Sequence, residues 1–519
     1  MPELFDKSDL EQIRARGIAV ERALSQLETL RKGVPPIHLD RPCTAGDGIT
    51  VLPQGEIERL AATYGEAARW GRATKFVPAS GAATRMFQPL LAVKDSLGPD
   101  FDVEGQAETV PDFEEVSRFF REIRRFAFYE DLAAALNRNG KKLDALVAEK
   151  EYGEVLRYLL TDAGLDYADL PKGLIKFHRY RDHSRTAFEE HLAETAAYVQ
   201  DDHGAARIHF TVAPEYREAI GRHLDEVQTR WKKSRVKFEI SLSVQKPSTD
   251  TLAVDLDHRP FRDEAGRLIF RPGGHGALLE NLGELSGDIV FIKNIDNVVP
   301  DRLKGETCAY KKALGGLLVE LQQQAFGYLR ELARPNPNDQ VIERALDFAS
   351  RWFAASPGQR RAQSSTEQTL RLLVARLNRP LRICGMVRTP GAPGGGPFWA
   401  GANRESLSPQ IVESSEVDLQ ETGQRAIWES STHFNPVDIV CGLKDFQGKP
   451  FNLKDFSDPA ACFIAIKSMD GRDLKALELP GLWNGGMAHW NTVFVEVPVT
   501  TFNPVKTVLD LLDESHQAG

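Results

Sequence analysis

Apolar residues recur at near-helical spacing from residue 8 to 33 (Leu10, Ile13, Ile18, Leu24, Leu27, Leu30), which predicts a helix there. Pro35 to Asp47, with its Pro, Gly and Asp, reads as loop, and a second helix is expected over Glu56 to Trp70. The short apolar run KFVPA (75–79) closes on Ser-Gly, the pattern of a buried strand that enters a tight turn and then a helix. Residues 110–160 are charged and mostly helical in pattern. Beyond 170 the pattern becomes mixed. RIHFTVA (207–213), KFEISLSV (237–244), LIFRP (268–272) and DIVFIKNI (288–295) are strand candidates rich in β-branched and aromatic residues. Residues 187–199 and 215–231 are amphipathic helices between them. This alternation predicts an α/β fold with a mostly parallel sheet. Residues 307–378 return to helix, broken at Pro335 and Pro337 and by a polar loop over 356–368. Strands follow at LRICGMV (381–387), FIAIKS (463–468) and TVFVEVPV (492–499), then a helix-like VLDLLDESH. No fixed-period repeat is present, and the one low-complexity patch is PGAPGGG (390–396).

Composition narrows the class. At about 150 residues per domain, 519 residues make three domains or one elaborated α/β unit. With 42% hydrophobic and 27% charged residues the chain is globular rather than disordered. A net charge of −9 argues against broad binding to nucleic acid. No apolar run is long enough for a transmembrane helix, so no membrane association is expected. The start, MPELFDKSDLEQ, lacks the apolar stretch of a secretory signal. The five cysteines are widely spaced with no CxxC pair, which argues against a disulfide framework or a cysteine–zinc site and for reduced thiols in a cytoplasmic protein.

Five segments carry residues suited to chemistry. PASGAATRM (78–86) sets Ala79, Ser80, Gly81, Ala82 and Ala83 ahead of Thr84 and Arg85. Such small residues let backbone amides approach a phosphate near a helix start, and equally suit an ordinary strand–turn–helix. PKGLIKFH (171–178) places Lys172 between a proline and an apolar run. In RPGGHGALLENL (271–282), Gly273, Gly274 and Gly276 surround His275 between a strand and a helical run. They give backbone access to a base or phosphate, or make a tight β-to-α turn; neither the Walker A nor the GxGxxG spacing is present. IVFIKNIDNVVPD (289–301) ends an apolar strand in Asn294, Asp296 and Asn297. Open parallel sheets bind ligands at the carboxyl ends of their strands, and a carboxylate there suits Mg²⁺; an Asx-turn is the structural alternative. In the run 477–506, Lys506 follows Pro504 as Lys172 follows Pro171, amid tryptophans, asparagines and glycines that suit a polar pocket with an aromatic wall.

Together these segments resemble the UDP-sugar pyrophosphorylases, nucleotidyltransferases with a Rossmann-like, GT-A-type α/β core. RPGGHGALLENL and VFIKNIDN are similar to that family's Pro-Gly-His-Gly segment and its strand ending Asn-x-Asp-Asn. FVEVPVTTFNPVKTVLDLL is similar to its C-terminal Val-Pro…Pro-Val-Lys block, ASGAATRM to a degenerate Gly-x-Gly-Thr-Arg loop, and PKGLIKFH to its Pro-Lys element. Over its full length the chain resembles a bacterial family defined as a domain of unknown function. The resemblance implies a mostly parallel mixed sheet with N-terminal helices and a helical insertion. It implies that Mg²⁺, a nucleoside triphosphate (UTP expected) and a sugar 1-phosphate meet in one site, giving a nucleotide sugar and pyrophosphate. Ser80 through Thr84 would line the nucleotide and its phosphates; Arg85 would hold the leaving pyrophosphate; Lys172 would neutralise the triphosphate. Gln245, Gly273, Gly274 and His275 would face the nucleotide, and Asp296 would bind Mg²⁺. Asn294, Glu413 and Asn484 would contact the sugar, and Lys506 the reacting phosphates.

Two departures stand out. Ala82 and Ala83 replace expected glycines, and Lys172 lies 87 residues beyond Arg85, so the intervening helices would be an insertion. The organisation expected is an N-terminal helical segment (1–70), an α/β core (71–330) with an insertion at about 91–168, a helical segment (331–378) and a C-terminal part completing the sheet and the sugar-phosphate site (379–519). Two other readings remain: a metal-dependent glycosyltransferase of the same fold using the DxD pair Asp255 and Asp257, and an inactive nucleotide-sugar-binding protein. A serine hydrolase is disfavoured by the lack of a G-x-S-x-G elbow.

Overall fold

The computed structural model describes residues 4–96, 113–231, 235–353, 365–388, 394–401, 407–469 and 471–517. At its centre is a nine-stranded sheet. In chain order its strands are β1 (Thr44–Ala45), β2 (Gly48–Thr50), β3 (Ala73–Pro78), β4 (Ala205–Val212), β5 (Lys237–Val244), β6 (Ile289–Ile292), β7 (Leu381–Met386), β8 (Asp438–Gly442) and β9 (Asn491–Glu496). In space they run β1-β2-β9-β7-β8-β6-β3-β4-β5. Every pairing is parallel except those of β8, which lies antiparallel to both β6 and β7. The expected α/β class and mostly parallel mixed sheet are therefore present.

Burial explains the strand patterns. A parallel strand covered on both faces reads as a continuous apolar run, and β3 and β6 are buried at every position. In β6, Ile289 and Phe291 face a core shared with the helices Gln54–Arg69, Lys304–Leu332, Asp339–Phe353 and Thr366–Leu377. Val290 and Ile292 face the opposite core, with Leu278, Leu282, Trp490 and Phe494. The edge strand β5 alternates exposed and half-buried residues, so its one polar face meets solvent.

Some expectations are corrected. The helix expected over 8–33 is two helices, Lys7–Ala15 and Val20–Lys32, broken where Gly17 adopts φ +73°. The loop expected over Pro35–Asp47 contains strand Leu39–Pro42 and β1, too short for a periodic signal. LIFRP contributes only Phe270–Arg271, and FIAIKS lies in Phe463–Met469; both belong to a separate four-stranded sheet with Thr251–Val254 and Arg472–Glu478, on which the N-terminal helices pack through Leu27 and Ile13. VLDLLDESH forms short 3-10 turns rather than a helix. Part of PGAPGGG and part of the loop expected at 356–368 fall outside the described residues; Gly395 and Gly396 begin strand Gly395–Ala400. All five cysteines are buried and unpaired, and no helix among the described residues is long and apolar enough to cross a membrane.

Helices follow the β3 loop: Gln88–Ser96, Phe113–Arg121, Tyr129–Asn137, Leu143–Ala148 and Tyr152–Leu160 close on Phe119, Phe126, Phe128 and Leu156. Beneath the sheet, the 29-residue helix Lys304–Leu332 crosses Gln54–Arg69 at close range. Gly315 and Gly316 make this possible: a Cβ at 315 would stand 2.6 Å from the Tyr64 ring, and one at 316 would run into the Leu60 carbonyl. Gly316→Val should therefore cost about 2–3 kcal/mol through overpacking. Urea unfolding measures this, and an unchanged midpoint would show that the helix pair is looser than described.

Candidate active site

The parallel strands deliver their carboxyl ends to one edge of the sheet, and the chemistry-bearing loops gather there. β3 ends at Pro78, and Ala79 N–H extends the pairing by donating to Thr211 (2.8 Å). The next turn is pinned to the segment that follows these helices. Lys172 N–H donates to Gly81 O (3.1 Å), Ala83 N–H to Leu170 O (3.0 Å), and Ala82 bridges Pro171. Thr84 Oγ1 donates to Ala168 O at 3.0 Å. The loop and the Pro-Lys element are thus neighbours in space despite the chain between them. Ala83 is fully buried in the adjoining core, which gives its methyl a packing role. A Cβ on Gly81 would meet nothing within 4 Å, so the fold does not demand glycine there; its smallness leaves the loop's outer side open.

Asp296 sits one turn beyond β6, its side chain 9% exposed. Its Oδ2 accepts from Lys506 Nζ at 2.9 Å and from Lys172 Nζ at 3.3 Å. Lys172 Nζ also donates to Val505 O at 2.8 Å. Asp296 Oδ1 is buried and has no hydrogen-bond partner among the described residues. Burial pulls the Lys172 ammonium pKa below its ordinary value; Asp296 opposes that pull and Lys506 adds to it. Asn297 fixes the tail that carries Lys506: its Oδ1 accepts from Asn503 N–H at 3.0 Å, and Nδ2 donates to Val437 O and Thr501 O. Val505 N–H donates to Asp296 O (3.1 Å), and Val508 N–H to Met86 O (3.0 Å), which joins tail, β6 turn and β3 loop.

His275 is exposed yet lies within electrostatic reach of Lys506, Asp296 and Glu478, as a cleft-lining side chain would. Its ring meets Trp483 edge-on at 5.0 Å. The glycines beside it are explained by packing. A Cβ on Gly273 would stand 2.5 Å from Thr249 O; Gly274, at φ +71°, abuts Glu478; Gly276 abuts the Pro480 carbonyl. Gln245 is half-buried just past β5, and Asn281 ties the glycine helix to that point through Val244 O (2.9 Å). Ser80 and Asn294 are half-buried, Arg85 is exposed, and none of these three side chains makes a hydrogen bond or ion pair with the described residues.

Glu413 and Asn484 form a second group. Glu413 ends strand Ser408–Glu413 and exchanges capping bonds with Glu416 (Glu413 N–H to Glu416 Oε2, 2.8 Å). Burial, aided by Glu478, pushes the Glu413 carboxyl up. Asn484 Nδ2 donates to Glu416 Oε1 at 3.0 Å while its Oδ1 is buried without a partner among the described residues. Asn484 also lines a cavity of about 570 Å³ with His38, Gln410, Asp458 and His489. The pair Asp255 and Asp257 lies elsewhere, in a turn after strand Thr251–Val254, where Asp255 Oδ1 caps Arg259 N–H (2.8 Å).

Sequence reasoning missed Glu416, Glu478, and the buried polar side chains of Lys75, His191, Glu194, Lys293 and Lys311. Lys75 and Lys293 were visible as charges beginning or ending apolar strand runs, KFVPA and VFIKN, whereas Lys311 lies within the helix Lys304–Leu332. Their carboxylate partner was hidden in a helix that reads as amphipathic. It also missed Arg388 and His433, both bound to Glu496 Oε2 (2.8 and 3.1 Å) at the same sheet edge.

This chain belongs to the family described as "Domain of unknown function (DUF4301)", whose model matches residues 6–517. No curated protein matches it. Among solved structures it is similar to uridine diphosphate N-acetylglucosamine pyrophosphorylase from Trypanosoma brucei, with 13% identity, 94% of this chain and 74% of that one covered, and a TM-score of 0.47. It is also similar to a UDP-glucose phosphorylase from Trypanosoma brucei (12%, 97% and 77%, 0.44) and to UDP-glucose pyrophosphorylase from Leishmania major in complex with UDP-glucose (12%, 98% and 78%, 0.40).

One pH effect follows from the second group. Burial raises the Glu416 carboxyl from 4.5 to about 7. Between those values the folded state holds a proton that the unfolded state has released, so this group's contribution to stability falls as pH rises through that window and then levels off. Buried histidines held below their ordinary value, His191 and His516 among them, act in the opposite direction, so the test is a difference: between pH 5 and pH 8 the urea-unfolding free energy of the wild type should change less favourably than that of Glu416→Gln by up to about 3 kcal/mol. An equal change in both would remove Glu416 as a contributor.

Proposed function

We propose that this protein is a nucleotidyltransferase that joins a nucleoside triphosphate, UTP first among them, to a sugar 1-phosphate and releases pyrophosphate. The observation that carries the reading is the convergence of Lys172 and Lys506 on one oxygen of Asp296 (3.3 and 2.9 Å), from three distant stretches of chain, beside an open small-residue loop. The mostly parallel sheet with its single reversed strand, β8, among the described residues agrees with a GT-A-type core.

The chemistry needs little covalent help from protein. A sugar-phosphate oxygen, ionised near neutral pH, attacks the α-phosphorus; a new P–O bond forms in line as the bond to the bridging oxygen breaks and pyrophosphate departs with its electron pair. Such a step needs positioning and charge neutralisation. In this reading Gly81 to Thr84 cradle the phosphates through the backbone, and Ser80, Gln245, Gly273, Gly274 and His275 flank the nucleotide. Lys172 neutralises the triphosphate, and the exposed Arg85 holds the leaving pyrophosphate. Lys506, with a side chain 62% exposed, is free to swing from Asp296 onto the reacting phosphates. Asn294, Glu413 and Asn484 meet the sugar as hydrogen-bonding groups.

Among the described residues no cluster of three or more His, Cys, Asp or Glu side chains could hold a metal alone. That fits Mg²⁺, which commonly uses one or two carboxylates together with substrate phosphates. The unpartnered, buried Oδ1 of Asp296 is the atom suited to hold it, and the ion would supply further neutralisation of phosphate charge.

The test is a matrix of nucleoside triphosphates against sugar 1-phosphates with Mg²⁺, read by pyrophosphate release. One productive pair is expected, with Lys506→Ala and Asp296→Ala each lowering its rate about 100-fold or more. Wild-type rate in either variant would remove that residue's role. Tight nucleotide binding with no turnover anywhere in the matrix would favour the inactive binding protein instead.

A further inference from the structure

The helix Ala187–Tyr198 is chemically odd. Glu190, His191, Glu194 and Thr195 on it are buried at 0–2% exposure, where polar groups need partners. Those partners surround the turn that presents Asp296. Glu194 Oε1 accepts from Lys293 Nζ and Oε2 from Lys75 Nζ, each at 3.0 Å. Lys311 stands 3.5 Å from Glu194 and pairs with Asp438 at the start of β8. One turn earlier on the helix, His191 Nε2–H donates to Ile295 O at 3.1 Å, and Thr195 Oγ1 holds the His191 carbonyl at 2.6 Å. Glu190 binds Lys304, whose Nζ also donates to Val299 O at 2.8 Å. A single helix therefore grips residues 293, 295 and 299, on both sides of Asp296.

Stability does not explain this arrangement. Buried ion clusters are often neutral or unfavourable compared with apolar packing of the same volume. Three buried lysines share Glu194 and Asp438, and burial pushes the Lys75 ammonium down to about 7, a cost that apolar packing would not carry. What the cluster provides is direction: fixed lengths between one helix, β3, the β6 turn and β8, which an apolar contact would leave free to slide.

Resting on the function proposed above, we propose that His191 and Glu194 are positioning residues, which set the backbone of the Lys293–Asn297 turn so that the Asp296 carboxylate faces Lys172 and Lys506. Neither touches the reacting groups. His191 holds the carbonyl immediately before Asp296; Glu194 anchors the side chain at the strand end.

The test compares His191→Leu with His191→Gln, whose amide can still donate to Ile295 O, and uses Glu194→Gln as a second, charge-removing probe. Two readouts are taken: steady-state kinetics on the productive substrate pair, and hydrogen–deuterium exchange of the 293–297 amides without nucleotide or metal. His191→Leu should lose about 10- to 100-fold in kcat, the range for a misplaced group. Its KM for sugar 1-phosphate should stay within about twofold, the turn amides should exchange at least about tenfold faster, and His191→Gln should recover most of both. If His191→Leu does not fold, Glu194→Gln carries the same expected signature. Wild-type exchange and kcat in the folded variant, or no difference between Leu and Gln at 191, would overturn the proposal. If wild-type protein turns over no substrate pair, the nucleotidyltransferase reading fails, while the exchange comparison still decides whether these residues set the turn.

Discussion

A single carboxylate oxygen, Asp296 Oδ2, receives two ammonium groups that arrive from opposite parts of the chain. Held apart from it, Lys172 and Lys506 would repel each other at close range in a partly buried setting, where charge interactions are stronger than in water. Asp296 is thus what allows two cations to be kept together and ready. The neighbouring contacts serve that meeting: the β3 loop is tied to the segment bearing Lys172, and Asn297 holds the tail bearing Lys506. Binding a polyanion would relieve the same repulsion, so the arrangement favours a phosphate-rich ligand over any neutral one.

Between Arg85 and Ala168 the chain makes a helical excursion in which the Phe126 ring contacts those of Phe119 and Phe128, within the same buried cluster as Val77 and Phe210 of the sheet. The chain leaves after Arg85 and returns at Ala168 to Lys172, hydrogen-bonded back to the loop it left. Such a closed excursion adds a structural unit at modest entropic cost, since loop-closure entropy grows only slowly with length. The same stretch also reaches the C-terminal tail, where Arg125 donates to Leu512 O at 2.9 Å.

The elements best seen in the sequence were those whose signal is local and repeated. β3, β4, β5, β6, β7 and β9 read directly from runs of apolar or alternating residues, and the motif blocks marked Lys172, Asp296 and Lys506 as one group. What escaped was set by partners distant in sequence. β8 is a five-residue strand with an aspartate at its start, made intelligible only by Lys311. Ala82 and Ala83 looked like damage to a glycine loop, whereas Ala83 is a core residue and Ala82 bridges Pro171. The glycines around His275 suggested ligand approach, and their neighbours at 478–480 give them a packing reason as well. Glu194 carried no signal, because a buried glutamate and an exposed one look alike in a helix.

The most direct test of the account is a crystal structure of the protein with a non-hydrolysable nucleoside triphosphate and Mg²⁺. The account requires the phosphates to lie against the Gly81–Thr84 loop, within hydrogen-bond reach of Lys172 and Lys506, with the ion on Asp296. Phosphates bound on another face, with the two lysines still closed on Asp296, would contradict it.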